Sequence, residues 1–348
     1  MENKTQIIID KEYSLSKNVK ILSIEDNEHF NKISLSTLSK IRMLSNLEHI
    51  KSIHEYYPGL NVLNISGSQD YGKIIGNKHS KLYLEYIKNM IEETVPMVTD
   101  YHTKVFPQRK KCYQDLESVM LEGCTIEKPI YNHTGVTGRT SITSGFNFLT
   151  LKKEKRKNLT HQSKTLVEVD FKSCEPFFFL KSQNIEVPGH DVYSWLADKY
   201  NITSLSRDKI KRGILSLIYG ANTYTTSKIM KLNLKTVEAI KEDIGINDLE
   251  KRLRKEYDEK GFILNFYNRP ITSDNNLVNY WIQSSSVDFC SLAFRQFCLK
   301  EKVKPCFFIH DSMTFCIEKN KLESILKIKE IKENISDISI PVDFALVN

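Results

Sequence analysis

Cys306-Phe307-Phe308-Ile309-His310-Asp311-Ser312-Met313-Thr314-Phe315 sets a His-Asp pair between two apolar runs of β type, the pattern of a hairpin with a charged tip. Far upstream, Thr165-Leu166-Val167-Glu168-Val169-Asp170 is a second β-type run ending in an acid. A strand holds a carboxylate stiffly at its exit, and a hard dication needs oxygen ligands on such a support. Between the acids lies Arg207-xxx-Lys211-xxx-Leu215-xxx-Tyr219-Gly220. Residues four apart drift only about 40° per step around a helix, so these four share one face. Two cations one turn apart suit a polyphosphate: Arg offers a planar fork, and Lys a compact charge that can also donate a proton. Each piece alone has an ordinary explanation. An Asp at a strand end commonly caps a turn, and an isolated RxxxK is commonly the solvated face of an amphipathic helix; Ile210, Ile214, Leu217 and Ile218 on the neighbouring faces also fit core packing. Together, two acids on β-type runs and a basic helix face are the parts of a metal-assisted nucleotidyl-transfer site.

The chain has 348 residues, 40% hydrophobic and 27% charged, which fits a folded protein of two or three domains. A net charge of +7 leans toward a polyanionic partner. The seven cysteines (Cys112, Cys124, Cys174, Cys290, Cys298, Cys306, Cys316) form no CxxC pair and no Cys/His zinc spacing, so they read as buried, reduced thiols. The N-terminus, Met1-Glu2-Asn3-Lys4-Thr5, is polar, and no apolar run approaches the roughly 20 residues that span a bilayer. A cytoplasmic location, bacterial or in a phage-infected host, is the expectation, with no membrane partner.

Residues 1–80 read as a small N-terminal module of unknown role. From Lys81 to about Leu121 the pattern is helical, with Leu82, Leu84, Ile87, Met90 and Ile91 at helix spacing. Residues 130–164 read as loop: Thr134-Gly135-Val136-Thr137-Gly138-Arg139-Thr140-Ser141, then the basic run Lys152-Lys153-Glu154-Lys155-Arg156-Lys157. The spacing predicts helices over 175–183, 190–200, 206–220, 233–260 and 276–300, a hairpin around His310-Asp311, and a C-terminal strand from Ile338 to Leu346. A few separated strands among many helices favour α+β over a doubly wound sheet.

These stretches resemble the family A DNA polymerases. Asp170-Phe-Lys-Ser-Cys-Glu175 resembles motif A, Arg207-xxx-Lys211-xxx-Leu215-xxx-Tyr219-Gly220 resembles motif B, and His310-Asp311 matches motif C. Gly138-Arg139-Thr140-Ser141 is similar to the Gly-Arg-Leu-Ser element before motif A. Asn279-xxx-Gln283 followed by Asp288 is similar to the segment lying against the primer–template minor groove, and His190-Asp191-Val192-Tyr193 falls where the family has Asp-Ile-His. The matches run in order from about 134 to 318. The resemblance implies a right-hand α+β fold with an antiparallel-sheet palm, helical fingers and a short helical thumb: thumb and start of palm over 81–165, palm over 166–190 and 261–348, fingers over 191–260.

It also implies roles. Asp170 and Asp311 would hold two Mg²⁺ ions, with Mn²⁺ able to substitute. Arg207 and Lys211 would bind the triphosphate, Lys211 as a catalytic proton donor. Leu215, Tyr219, Gly220 and Tyr193 would line the nucleotide site. Glu175 would be a steric gate against a 2′-hydroxyl, where single-subunit phage RNA polymerases typically carry Gly. Arg139, Asn279, Gln283, His310, Lys152 and Lys153 would contact primer–template DNA. Partners would be primer–template DNA, dNTPs and a processivity or replication protein.

Several positions depart from the family: Leu215 in place of Phe or Tyr, Ser312 in place of the Glu after the motif C Asp, Tyr193 in place of His, Asn275 in place of Arg, and Phe177 in place of the motif A Arg. Asp26-Asn27-Glu28 resembles the start of an exonuclease acid pair, but about 80 residues is too short for that domain, so the resemblance is to a compact, bacterial DNA polymerase I-like or phage-type form without proofreading. The expected activity is DNA-directed DNA synthesis. The alternatives are an RNA polymerase, primer-making or template-independent nucleotidyltransferase, motivated by Ser312 and Leu215, and a non-catalytic nucleic-acid-binding subunit of a replication or defence complex.

Overall fold

The computed structural model describes residues 5–10, 42–44, 60–65, 97, 100–133, 135–189, 191–260, 262–273 and 275–347. The expected helical residues 82–91, Asp26-Asn27-Glu28, Thr134 and His190 lie outside them. The chain divides into two compact units: Met1–Lys104 with Arg254–Leu264 and Asn268–Asp274, and Val105–Leu253 with Asn265–Tyr267 and Asn275–Asn348. In the first, β1 (Thr5–Asp10) pairs antiparallel with both β2 (Arg42–Leu44) and β3 (Leu60–Ile65).

The second unit mixes helix and sheet. It opens with α1 (Phe106–Cys112), the strands β4 (Met120–Leu121), β5 (Cys124–Thr125), β6 (Ile130–Asn132) and β7 (Ser141–Ser144), the one-turn helix α2 (Lys153–Arg156) and β8 (Leu159–Thr160). The helical pattern therefore stops at Cys112 rather than near Leu121, because Leu116 and Val119 turn inward to be buried. Residues 130–164 are likewise not simply loop: β6 pairs with β7, β8 pairs with β4, and the basic run winds into α2, where Arg156 reaches Glu168 at 3.3 Å.

The main sheet contains β9 (Thr165–Phe171), β12 (Lys304–Ile309), β13 (Ser312–Ile317), β14 (Glu330–Lys332) and β15 (Ser339–Leu346), all antiparallel in the order β12-β13-β9-β15-β14. Strands β10 (Ile263–Leu264) and β11 (Pro270–Ile271) pair with each other and belong to the first unit. Every residue of β13 is buried, as expected of a strand covered on both faces. On one side Phe307 stacks on Phe148 at 4.0 Å within a cluster that includes Val119, Leu159 and Leu166. Elsewhere around the sheet, helices α3 (Cys174–Ser182) and α9 (Leu277–Glu301) supply aromatic partners: Phe171 meets Phe289 and Phe294, and Phe178 meets Phe289. Phe177, Phe178 and Phe179 are all core residues. Cysteine burial is less uniform than expected, since Cys124 is exposed on the short β4–β5 hairpin.

Between α3 and α9 lie α4 (Val192–Lys199), α5 (Arg207–Ile218), α6 (Thr223–Met230), α7 (Leu234–Asp243) and α8 (Ile246–Lys260), and a short α10 (Leu322–Leu326) follows β13. Asn222 and Asn233 cap α6 and α7, each side-chain oxygen accepting a backbone N–H at 2.8 Å. The expected single helix over 233–260 is broken in two at Gly245, whose φ of +77° ends α7 in the left-handed conformation that glycine adopts without strain. Among the described residues, no helix is long and apolar enough to cross a membrane.

β12 is an edge strand, and an edge leaves backbone groups in need of partners. The Tyr131 hydroxyl donates to the Phe308 carbonyl at 2.9 Å and accepts from the Phe308 N–H at 2.8 Å. Tyr131→Phe should therefore cost about 1–3 kcal/mol, the penalty for orphaned buried groups. Denaturant unfolding measures it; an unchanged midpoint would show that the hydroxyl carries none of this edge.

Candidate active site

Sheet register brings the two sequence acids together. Asp170 is the penultimate residue of β9 and pairs with Ser312 of β13, so Asp311 lies one step beyond, at the hairpin tip. The Phe171 N–H donates to the Asp311 carbonyl at 3.2 Å and locks this alignment. His310 takes a φ of +54° at the turn, and the Ser312 hydroxyl closes it by donating to the Ile309 carbonyl at 3.0 Å. On the other side of β9, Asp343 of β15 pairs directly with Asp170. Directly opposed residues share a face with Cβ atoms on the order of 5 Å apart. Asp343 forms an ion pair with Lys172 at 2.8 Å.

These residues line a cavity of about 730 Å³. Its wall includes Asp170, Asp311, Glu175, Tyr193, Arg207, Lys211, Leu215, Tyr219, Arg139 and His310. α5 contributes one face at period four, and Lys211 has no carboxylate within ion-pair distance among the described residues. Arg207 instead meets Asp191, with Nε at 2.9 Å and Nη2 at 3.1 Å, and lies over the Tyr193 ring at 5.2 Å. Asp191 is also the N-cap of α4, accepting from the Tyr193 N–H and the Ser194 hydroxyl. Desolvation works against its charge, but the Arg207 and Ser194 bonds hold its carboxyl below the usual range.

Glu175 sits in the first turn of α3 with both oxygens engaged. Oε1 accepts from Arg139 Nη2 at 2.7 Å, and Oε2 accepts the Tyr219 hydroxyl. Burial and the adjacent Glu175 charge raise the Tyr219 hydroxyl pKa, so the phenol keeps its proton and donates. Cys174 and Cys290 also line the cavity, with their sulfurs 3.4 Å apart.

Electrostatics mark the acids. Lost hydration, then the Asp311, Glu168 and Asp343 charges, push Asp170 up to about 7, partly offset by Lys153. Lost hydration and the Glu175 charge raise Asp311, with His310 and Arg139 opposing. Hard carboxylate oxygens in mutual repulsion fit a hard dication, which would relieve that repulsion. A softer group, Glu117, His161 and Cys316, has ligand atoms within 4.8 Å of one another. It is a poor metal site, because His161 Nδ1 accepts the Ser163 and Lys164 N–H groups at 3.1 Å. That tautomer puts the proton on Nε2, the atom facing Glu117 at 3.7 Å.

Not every expected residue reaches the cavity wall. Asn279 and Gln283 lie on α9, half-buried and outside the lining, but on the helix face that continues to Val287 and Cys290. Asn279 Oδ1 is buried without a hydrogen-bond partner among the described residues. Lys152 and Lys153 are exposed around α2, and Gly220, at φ +83°, follows α5 outside the cavity wall. Sequence reading missed Asp343, Lys172 and the ion-paired role of Asp191. Asp343 could have been suspected only as an acid within the predicted C-terminal strand.

No protein-family model and no curated relative matches the sequence. Among solved structures, the chain is similar to the POL domain of Pol1 from M. smegmatis in complex with DNA primer-template and dNTP, at 12% identity and a TM-score of 0.44. The alignment covers 86% of this chain and 55% of the other, so the chain spans about half the length of that structure.

Asp170 yields a pH test. Its carboxyl titrates near 7 when folded, against about 3.9 when unfolded. The folded state thus binds the proton more tightly, and stability is lost as pH rises from about 4 through 7. In metal-free buffer Asp170→Asn should gain on the parent by on the order of 1 kcal/mol between pH 5 and 8, a value discounted for solvent screening. Chemical unfolding at both pH values checks it; a pH-independent difference would show that the acids do not repel.

Proposed function

We propose that this chain is a DNA-directed DNA polymerase that adds dNTPs to a primer 3′-hydroxyl by two-metal nucleotidyl transfer. One observation carries the reading: the acids, cations and aromatic that the sequence separates by more than 100 residues line the same cavity. Asp170 and Asp311 would hold two Mg²⁺ ions, which when bound activate the attacking hydroxyl and neutralise the triphosphate.

The chain's own residues do the rest. Lys211, with no carboxylate partner among the described residues, binds the triphosphate and protonates the departing pyrophosphate. Arg207 provides the second phosphate contact; its Asp191 partner keeps the guanidinium extended from the first turn of α5. Leu215 and Tyr219 continue that face toward the sugar and the templating base, beside Tyr193 and Gly220. Glu175, fixed at both oxygens, leaves no space for a 2′-hydroxyl, which supports deoxynucleotides. Asn279, with Gln283 one turn on along α9, would turn a polar edge toward the primer–template minor groove. Arg139 and His310 face the primer end, while Lys152 and Lys153 meet the phosphate backbone, where each neutralised phosphate releases counterions. A replication protein that adds processivity is a further proposed partner.

Extension of a labelled primer on a DNA template with Mg²⁺ tests this directly, comparing dNTPs, NTPs and a template-free reaction. Templated growth with dNTPs alone is expected. Asp170→Asn and Asp311→Asn should each abolish it, and Lys211→Ala should slow it by roughly 10²–10⁴-fold, the range for a lost general acid. Glu175→Gly should admit ribonucleotides. Growth without template, or unimpaired growth in both Asp variants, would refute the assignment.

A further inference from the structure

Behind the cavity wall lies a charged pair with no place in the chemistry above. Arg109 of α1 and Asp288 of α9 are 1% and 0% exposed, with Nη1 2.7 Å from Oδ1. The other Asp288 oxygen accepts from Asn265 Nδ2 at 2.7 Å. A buried ion pair seldom stabilises a fold better than an apolar pair of the same shape, so its presence calls for another reason. That reason lies at the far end of the guanidinium, where Nη2 donates to the Gly138 carbonyl.

Gly138 closes a tight turn, its N–H reaching the Gly135 carbonyl at 2.7 Å, with φ at +67°. The next residue is Arg139, which grips Glu175 at 2.7 Å, and Glu175 in turn accepts from Tyr219. An unbroken chain of charge-assisted bonds thus runs from α9 through Asp288, Arg109, the 138–139 turn and Glu175 to the end of α5.

We propose that Arg109 is a positioning residue for the sugar-facing carboxylate. Its planar fork converts the fixed place of Asp288 into a fixed place for the Gly138 carbonyl, and so sets where Arg139 holds Glu175. Arg109 touches no substrate; it acts through Arg139. The consequence for sugar choice rests on the gate role given to Glu175 above, whereas the structural linkage does not. Lysine cannot replace it, because one compact ammonium facing Asp288 lacks the second arm of the fork.

The test uses the full chain with 3-fluorotyrosine at position 219, observed by fluorine NMR, beside primer extension with dNTPs and NTPs. Arg109→Lys keeps the charge opposite Asp288. It should move the fluorine resonance toward its position in Glu175→Gln and Arg139→Ala. It should also lower dNTP-over-NTP selectivity about tenfold through KM, leaving kcat within twofold. In an Arg139→Ala background the same change should have no further effect, as for two steps of one chain. A fluorine resonance unmoved by Arg109→Lys, or one moved equally with and without Arg139, would overturn the proposal. Asp288→Asn, which loosens the grip on Arg109 at constant volume, gives the same readout should Arg109→Lys fail to fold. If the parent extends no primer, the polymerase reading fails while the fluorine result still decides the linkage.

Discussion

The register of three antiparallel strands governs everything at this site. Asp170 lies on the central strand of the sheet, with Asp311 at the tip of the hairpin on one side and Asp343 directly opposite on the other. A slip of one residue in either pairing would turn an acid to the wrong face. That register is enforced from both sides of the sheet, by the Phe148–Phe307 stack in one cluster and by Phe171 against Phe289 and Phe294 elsewhere. The aromatic packing therefore holds Asp311 and Asp343 close enough to Asp170 to raise its proton affinity, an arrangement free side chains would avoid. Such stored repulsion is characteristic of sites built to receive a counter-charge.

Glu175 plays the corresponding part between elements. Its helix belongs to the sheet side, its hydrogen-bonded tyrosine closes α5, and its arginine comes from the turn after β6. Three segments far apart in the chain thus converge on one side chain that carries no free oxygen. A carboxylate held in this way cannot swing aside at the small cost that an exposed Glu would incur, so any selectivity it imposes is steric and built in.

Where local periodicity and chemistry coincide, the sequence was legible. The strand ending near Asp170, the His-Asp hairpin and the period-four face of α5 were all readable, and the cavity collects them. Reading failed where long-range pairing overrides local pattern. Residues 130–164 look like loop because their strands are two to four residues long and acquire meaning only through partners such as Phe308. The stretch after Cys112 kept helical spacing, yet Leu116 and Val119 were needed in the core. Gly245 was visible as a residue, but only its left-handed φ makes it a helix end. The Arg109–Asp288 pair joins residues 179 apart in sequence, and no local pattern announces it.

Ser312 shows how one local choice propagates. Directly after Asp311, its hydroxyl is spent on the Ile309 carbonyl, inside the hairpin and away from solvent. An acid there would place a charge at a site that is 7% exposed, with the turn left unclosed. Asp343, directly opposite Asp170, comes from β15 on the other flank. It differs in kind from the other two, because Lys172 neutralises it at 2.8 Å while Asp170 and Asp311 have no such partner among the described residues. The uncompensated charge at the end of the sheet is therefore concentrated on Asp170 and Asp311. Among the described residues, these two of the three acids stand without a neutralising partner, where a dication would lower the energy of the site.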